Sequence, residues 1–541
     1  MVRSYRSAVP RWPEPSPPVV SELSVMTRRG VRCRAHWPTG CGTAAPGWTG
    51  PRAAESAAAR TESRGWGVMD RLTAQDLMNL WPDDLGWPMD IGALAILDGA
   101  RLLDADGRFQ LERVRKAIAR HLPRTPRLRQ VLYVPGWGLG GPLWVDAPAF
   151  DLDEHVHVVP LSAAAGEAQL LDAVEQLRSR RLDRSRPLWQ IWFFTGLPGQ
   201  RVGMYVKLHH TIADGRAGVA TLGALLDLEP DPPVPPAPAW VPAPPPSNRQ
   251  LLADNLRRRL RAARGVLGIL AHPVATAGPV RRAWPAATVG MLGERAPRTS
   301  LNRPIGAHRR LAVVRYRLDL AKQIAHAHGG KVNDVLLAAV AGGLRELLLG
   351  RGEPVAGVVL KAFVPVSLHH ERVGAERGNQ DGVMVAPLPV GEPDPARRLR
   401  FIAAETGRLK RITGSPGANA FPIGWVQRAA WRVAARQRYM NLSVTNVPGP
   451  PRPLFLAGAP LLEVVPIVPI SVNLTLGVGA LSYAGQFNVI VVADGDACSD
   501  VEAFADGMRA SLQALAGSVP AVSVRQAVLA RRPLCTGSGS S

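Results

Sequence analysis

Over residues 202–208 apolar side chains alternate with others, as in a strand with one buried face. Beyond it Val219, Leu222, Leu225 and Leu226 recur at helical spacing, which predicts a helix to about Leu228. The same reading along the first half predicts a short helix from Leu72 and a strand from Pro88-Met89-Asp90-Ile91-Gly92 to Leu97. It predicts further helices over 111–122 and 170–182, and a strand over 190–195. Residues 133–144, with four glycines, read as a hairpin, because no helix with Lys-Ser/Thr follows to make a phosphate loop. His155 and His157 alternate on a predicted strand and read as structural. In the second half the pattern predicts strands over 309–318, 360–367, 383–390, 441–447 and 482–493. Helices are predicted over 320–327, 334–349 and 500–515. Both halves thus mix strands and helices.

Between the halves, residues 229–246 are dense in proline and predict an extended, semi-rigid spacer. A basic helix is expected next, over 249–270, with a leucine stripe (Leu252, Leu256, Leu260, Leu267, Leu270) beside Arg257, Arg258, Arg259, Arg261 and Arg264. It reads either as a connector with a solvated basic face or as an interfacial helix docking on anionic lipid. Residues 1–68 hold ten Arg and four Glu without apolar period, and are expected to be disordered. They lack the apolar core of a secretory signal. The domains expected are 69–228, a 229–299 linker, 300–530 and a 531–541 tail.

Composition changes this picture little. The 541 residues suffice for two domains with sizeable cores. A formal charge of +22 invites nucleic acid, but only six of the 65 basic residues are Lys, a bias that a GC-rich genome also produces. No nucleic-acid motif accompanies the charge, so nucleic acid is not expected as a partner. Cys33, Cys41, Cys498 and Cys535 are too scattered for a disulfide framework or metal knot. The sparse cysteines point to a cytoplasmic location, and without an apolar run of about 18 residues any membrane contact should be peripheral.

Candidate chemistry sits at the strand-to-helix junction, in Lys207-Leu208-His209-His210-Thr211-Ile212-Ala213-Asp214-Gly215. Imidazole, with an unperturbed pKa of about 6.5, suits proton removal near neutrality. Asp214 stands where it would cap the following helix, and Gly215 gives the turn freedom. The plainer readings are a polar loop pair and a simple cap. HHxxxD is not a strong zinc spacing, so no metal is expected.

His-His-x-x-x-Asp-Gly resembles the active-site motif of the bacterial wax ester synthase/diacylglycerol acyltransferase family. Pro187-Leu188-Trp189, Val332-Asn333-Asp334-Val335 and Asn446-Val447-Pro448-Gly449-Pro450 agree with it in order, so the resemblance runs from about Met69 to about Leu515. Met69-Asp70-Arg71-Leu72-Thr73 resembles the start of family members, from which translation is expected to begin near Met69. The resemblance implies two chloramphenicol-acetyltransferase-like α/β domains facing across a channel. It implies His210 as general base, moving an acyl group from acyl-CoA to diacylglycerol or a long-chain alcohol, without a cofactor, at a membrane or lipid-body surface. His209 is expected to support, Asp214 and Gly215 to shape the turn, and Pro187, Leu188 and Trp189 to hold the site's architecture. Asn333 and Asp334 read as helix caps or as part of a substrate or oxyanion contact. His369-His370 lacks the Asp-Gly and is rejected as a second site. The alternatives are a carrier-protein-dependent condensation-type acyltransferase and a non-catalytic lipid-binding paralogue.

Overall fold

Thr73 starts the first helix. Its hydroxyl accepts the Asp76 N–H while the Asp76 carboxylate accepts the Thr73 N–H, a reciprocal capping box. The structure, a computed structural model, describes residues 69–162, 165–213, 215–233, 240–271, 294–367, 381–412 and 436–519. Helix α1 (Ala74–Asp84) is followed by β1 (Asp90–Asp98), α2 (Leu111–His121) and the hairpin β2 (Gln130–Tyr133) and β3 (Leu143–Asp146). Then come β4 (Val156–Pro160), α3 (Glu167–Ser179), β5 (Trp189–Leu197), β6 (Arg201–His209), α4 (Gly215–Ala224) and α5 (Asn248–Ala271). The second half runs β7 (Arg309–Arg317), α6 (Leu318–Ala327), α7 (Val332–Gly350), β8 (Val359–Ser367), β9 (Asp381–Pro389) and α8 (Pro395–Ile412). It closes with β10 (Leu442–Pro448), β11 (Phe455–Leu456), β12 (Ala459–Ile467), β13 (Leu476–Tyr483), β14 (Gln486–Asp494) and α9 (Val501–Gly517).

Three expectations need correction. Helix α4 stops at Ala224, four residues early, because Leu225 and Leu226 are buried beyond its end, where Asp227 bridges to Phe455. Residues 482–493 are not one strand: a turn at Ala484 (φ 46°) and Gly485 (φ 87°) separates β13 from β14. Strand β13 is buried almost throughout, so it shows no alternation. His155 lies one residue ahead of β4 and stacks on Trp189 at 4.5 Å, while His157 leans on Trp192.

Among the described residues the strands form two six-stranded mixed sheets, ordered β11-β12-β1-β6-β5-β4 and β7-β14-β13-β10-β8-β9. Strands β4 and β5 are parallel, as are β10 and its neighbours β13 and β8. The remaining pairings in these sheets are antiparallel. Helix α7 is buried along most of its length, as an element apolar on every side must be, with α6, α8 and α9 around it.

The sheets do not follow the linear halves. Strand β12, from the second half, pairs with β1, setting Leu94 against Val465. A shared core then joins Trp192 and Tyr205 to Val313, Ile467 and Ile490. Arg315 spans the same seam, bonded to Glu167 and Glu463. No helix among the described residues is long and apolar enough to cross a membrane.

Candidate active site

Strand β6 is the centre of the first sheet's geometry, with β1 on one side and β5 on the other. It ends at His209, so the histidine pair leaves the sheet where backbone ladders stop and neighbours must hold it. The His209 N–H donates to the Leu188 carbonyl at 3.0 Å, and the His210 N–H to the Met89 carbonyl at 2.9 Å. Pro187-Leu188-Trp189 therefore touches the pair through its main chain. Its side chains are buried, and Trp189 Nε1 donates to the Leu128 carbonyl.

The two rings have different surroundings. His209 is 1 % exposed and both of its nitrogens are engaged. Nδ1 accepts the Thr211 N–H at 3.2 Å and lies 2.7 Å from Thr211 Oγ1. That nitrogen therefore carries no proton, and Nε2–H donates to Asp83 Oδ2 at 3.0 Å. Asp83 also accepts the Met89 N–H at Oδ1 and faces Arg184. Burial pushes the Asp83 carboxyl up, but the His209 hydrogen bond, Met89 and Arg184 outweigh it and hold its pKa below the usual value.

His210 is half-buried, and its Nδ1 lies 3.1 Å from the Asn79 side-chain nitrogen. An amide offers a donor at one end and an acceptor at the other. Asn79 therefore serves a bare Nδ1 through Nδ2–H, or a protonated Nδ1 through Oδ1 once the amide turns. Asn79 and Asp83 stand four residues apart on α1, on one helix face, and each meets one histidine. Neither was expected from the sequence; the available signal was a polar pair at helical spacing on a face that also buries Leu80.

Behind the pair lies a buried ion pair. Lys207 is fully buried, with Nζ 3.0 Å from Asp90 Oδ2 and bonded to the carbonyls of Arg178 and Arg180 at the end of α3. Burial pushes the Asp90 carboxyl up and the Lys207 ammonium down, and the mutual attraction only partly offsets each shift.

The second half reaches this site at Gly215. A Cβ there would meet Val447 Cγ2 at 3.1 Å, so α4 starts hard against the Asn446-Val447-Pro448 strand end. Asp214 lies outside the described residues, as does His369-His370. At α7, Lys331 occupies the N-cap and Asn333 the second helical position. The Asp334 carboxylate accepts the Lys331 N–H and the Thr406 hydroxyl, both at 2.8 Å. The Asp334 carboxylate thus serves the start of α7 and its packing on α8. No cluster of three His, Cys, Asp or Glu suited to a metal occurs among the described residues.

Comparison with known proteins agrees with this architecture. Residues 72–336 match the model of the wax ester synthase/diacylglycerol acyltransferase catalytic domain, and residues 377–516 the WS/DGAT C-terminal domain. A Mycobacterium bovis protein named for diacylglycerol O-acyltransferase activity is 31% identical over 490 residues, covering 86% of this chain and 98% of its own. A Mycobacterium tuberculosis protein so named is 34% identical over 409 residues, covering 72% and 79%. Among solved structures, the wax ester synthase/diacylglycerol acyltransferase of Marinobacter aquaeolei VT8 superposes with TM-score 0.58 at 24% identity, over 83% of this chain and all of that one. The first condensation domain of the calcium-dependent antibiotic synthetase gives TM-score 0.55 at 18% identity, over 84% and 96%, and shows the fold alone.

Proposed function

Since the chain belongs to the wax ester synthase/diacylglycerol acyltransferase family, we propose that it moves a long-chain acyl group from acyl-CoA to the hydroxyl of diacylglycerol or a long-chain alcohol, with His210 as general base. The observation that carries the assignment is the division of labour in the histidine pair. His209 is buried with both nitrogens committed inside the fold, whereas His210 is half-buried, with Nδ1 beside the Asn79 amide. In the proposed reaction the working atom is Nε2, and Asn79 presents Oδ1 to Nδ1–H during turnover.

In the reaction Nε2 takes the acceptor's hydroxyl proton as its oxygen attacks the thioester carbonyl. The carbon–sulfur bond breaks, and the imidazolium returns the proton to the CoA thiolate. No serine elbow of the Gly-x-Ser-x-Gly kind occurs, which favours direct transfer over an acyl-enzyme. No cofactor is needed, acyl-CoA being a co-substrate. Asp214 anchors the turn, and the two domains face across a channel that admits the substrates. The acceptor is a lipid, so the chain works peripherally at a membrane or lipid-body surface.

The test is release of free CoA thiol from palmitoyl-CoA with diolein or hexadecanol as acceptor. Acceptor-dependent release should fall roughly 10²–10⁴-fold in His210→Ala, the usual worth of a general base. Near-full activity in that variant rejects the assignment. Release seen only from a carrier-bound thioester would move the protein to condensation-type chemistry.

A further inference from the structure

Six of the eleven large apolar side chains left exposed among the described residues lie on two adjoining elements. Val134 and the fully exposed Trp137 follow β2, in the connection to β3, and Leu252, Leu256, Leu260 and Leu267 lie on α5. The elements touch: Asn255 Nδ2 donates to the Gly138 carbonyl, and the Arg71 guanidinium joins Asp254 to the carbonyls of Leu139 and Gly141. Leu251 is buried and Asp254 and Asn255 are bonded on that side, so α5 is docked by one face. At 3.6 residues per turn the four leucines fall within an arc of roughly 80°, on the side turned away from Leu251 and Asp254.

This stripe has a charged border. Arg257, Arg259 and Arg264 are exposed beside it, Arg261 is exposed further round the helix, and Asp254, the helix's single acid, is already bound by Arg71 and Arg258. Guanidinium stays charged at every physiological pH, and its long stem lets it reach headgroups while leucines enter the acyl boundary. An indole at a loop tip suits the same interface. We infer that α5 and the β2–β3 hairpin form a docking face for an anionic phospholipid surface, with Trp137 and the leucines inserted and the arginines on phosphate groups. This deepens the acyltransferase reading, resting on it only for what the lipid supplies, the acceptor.

The hairpin places this face near the site. Leu132 and Trp144, on its two strands, pack with Leu80 of α1 and Leu188, and Ile212 borders that cluster, two residues after His210.

The experiment is sedimentation of the full chain with phosphatidylcholine vesicles, with and without phosphatidylglycerol, alongside CoA release. Binding should require phosphatidylglycerol and weaken from about 0.1 M to about 1 M salt. Leu256→Glu with Leu260→Glu should reduce partitioning at least roughly tenfold, and Trp137→Ser should weaken it further. Replacing Arg257, Arg259, Arg261 and Arg264 with Gln should abolish the salt dependence. In all of these, CoA release with an alcohol dispersed in water should match wild type, falling only when the acceptor is held in vesicles.

A wild type that stays in the supernatant overturns the inference. So do variants that bind as wild type does, or leucine variants that turn a dimer into a monomer without touching vesicle binding. Vesicle binding without CoA release from any acceptor would reject the acyltransferase reading and leave the docking face standing.

Discussion

At the scale of single residues, helix α1 sets one polar side chain beside each histidine, Asp83 at His209 and Asn79 at His210. Asp83→Leu strands the buried Nε2–H of His209 and should cost about 1–3 kcal/mol, read as a lowered denaturant midpoint. Asn79→Leu should leave the midpoint close to wild type but take away the polar group at His210 Nδ1, lowering kcat roughly 10- to 100-fold with little change in KM. Equal losses of stability and activity in both variants would make the two anchors interchangeable, contrary to this division. His155 supplies a pH test. Burial between Trp189 and Phe150 holds its pKa below the usual 6.5, despite the hydrogen bond to the Trp189 carbonyl. A depressed folded pKa means the contribution is complete above 6.5 and is lost as pH falls toward the folded value. Tm should therefore drop between about pH 7 and about pH 5, and less in His155→Gln.

At the scale of elements, α1 and β6 act as one unit. Helix α1 approaches the end of β6 with two polar side chains, and β6 sends Lys207 back to β1 and to the end of α3. Three elements thus meet at one ammonium group, immediately behind the histidines. Lys207→Met leaves Asp90 buried without its partner and should destabilise the fold by roughly 3–5 kcal/mol. Adding Asp90→Leu should recover part of that loss, since removing both charges costs less than removing one. A double variant no more stable than the single one would show that Lys207 matters through the α3 carbonyls instead.

At the scale of the molecule, the decisive feature is the strand exchange. Strand β12 covers β1 within the first sheet, although some 370 residues of sequence separate Leu94 from its partner Val465. A fragment of residues 69–299 would expose the β1 edge and the apolar surface that Val465 and Ile467 cover. It should accumulate as insoluble material, while the full chain unfolds in one transition. A soluble, cooperatively unfolding fragment would contradict this. Arg315, half-exposed at the seam, should matter far less: Arg315→Ala is expected to cost under about 1 kcal/mol in the same melt.

Local pattern was enough for most elements and for the reactive pair. Alternation over residues 202–208 located β6, helical spacing located α2 and α5, and the His-His-x-x-x-Asp-Gly string marked the junction, because each is written in neighbouring residues. Strand β13 escaped because a strand buried on both faces carries no alternation, and β12 because its pairing with β1 depends on residues far away. Asn79 and Asp83 escaped for the same reason. On a helix they are an unremarkable polar pair, and only packing α1 against the end of β6 turns them toward two imidazoles. The sequence alone determined which groups could do the chemistry, since reactivity belongs to side chains. Tertiary structure decided which histidine is buried with both nitrogens bonded and which stands half-buried beside Asn79, since that depends on contacts between segments distant in the chain.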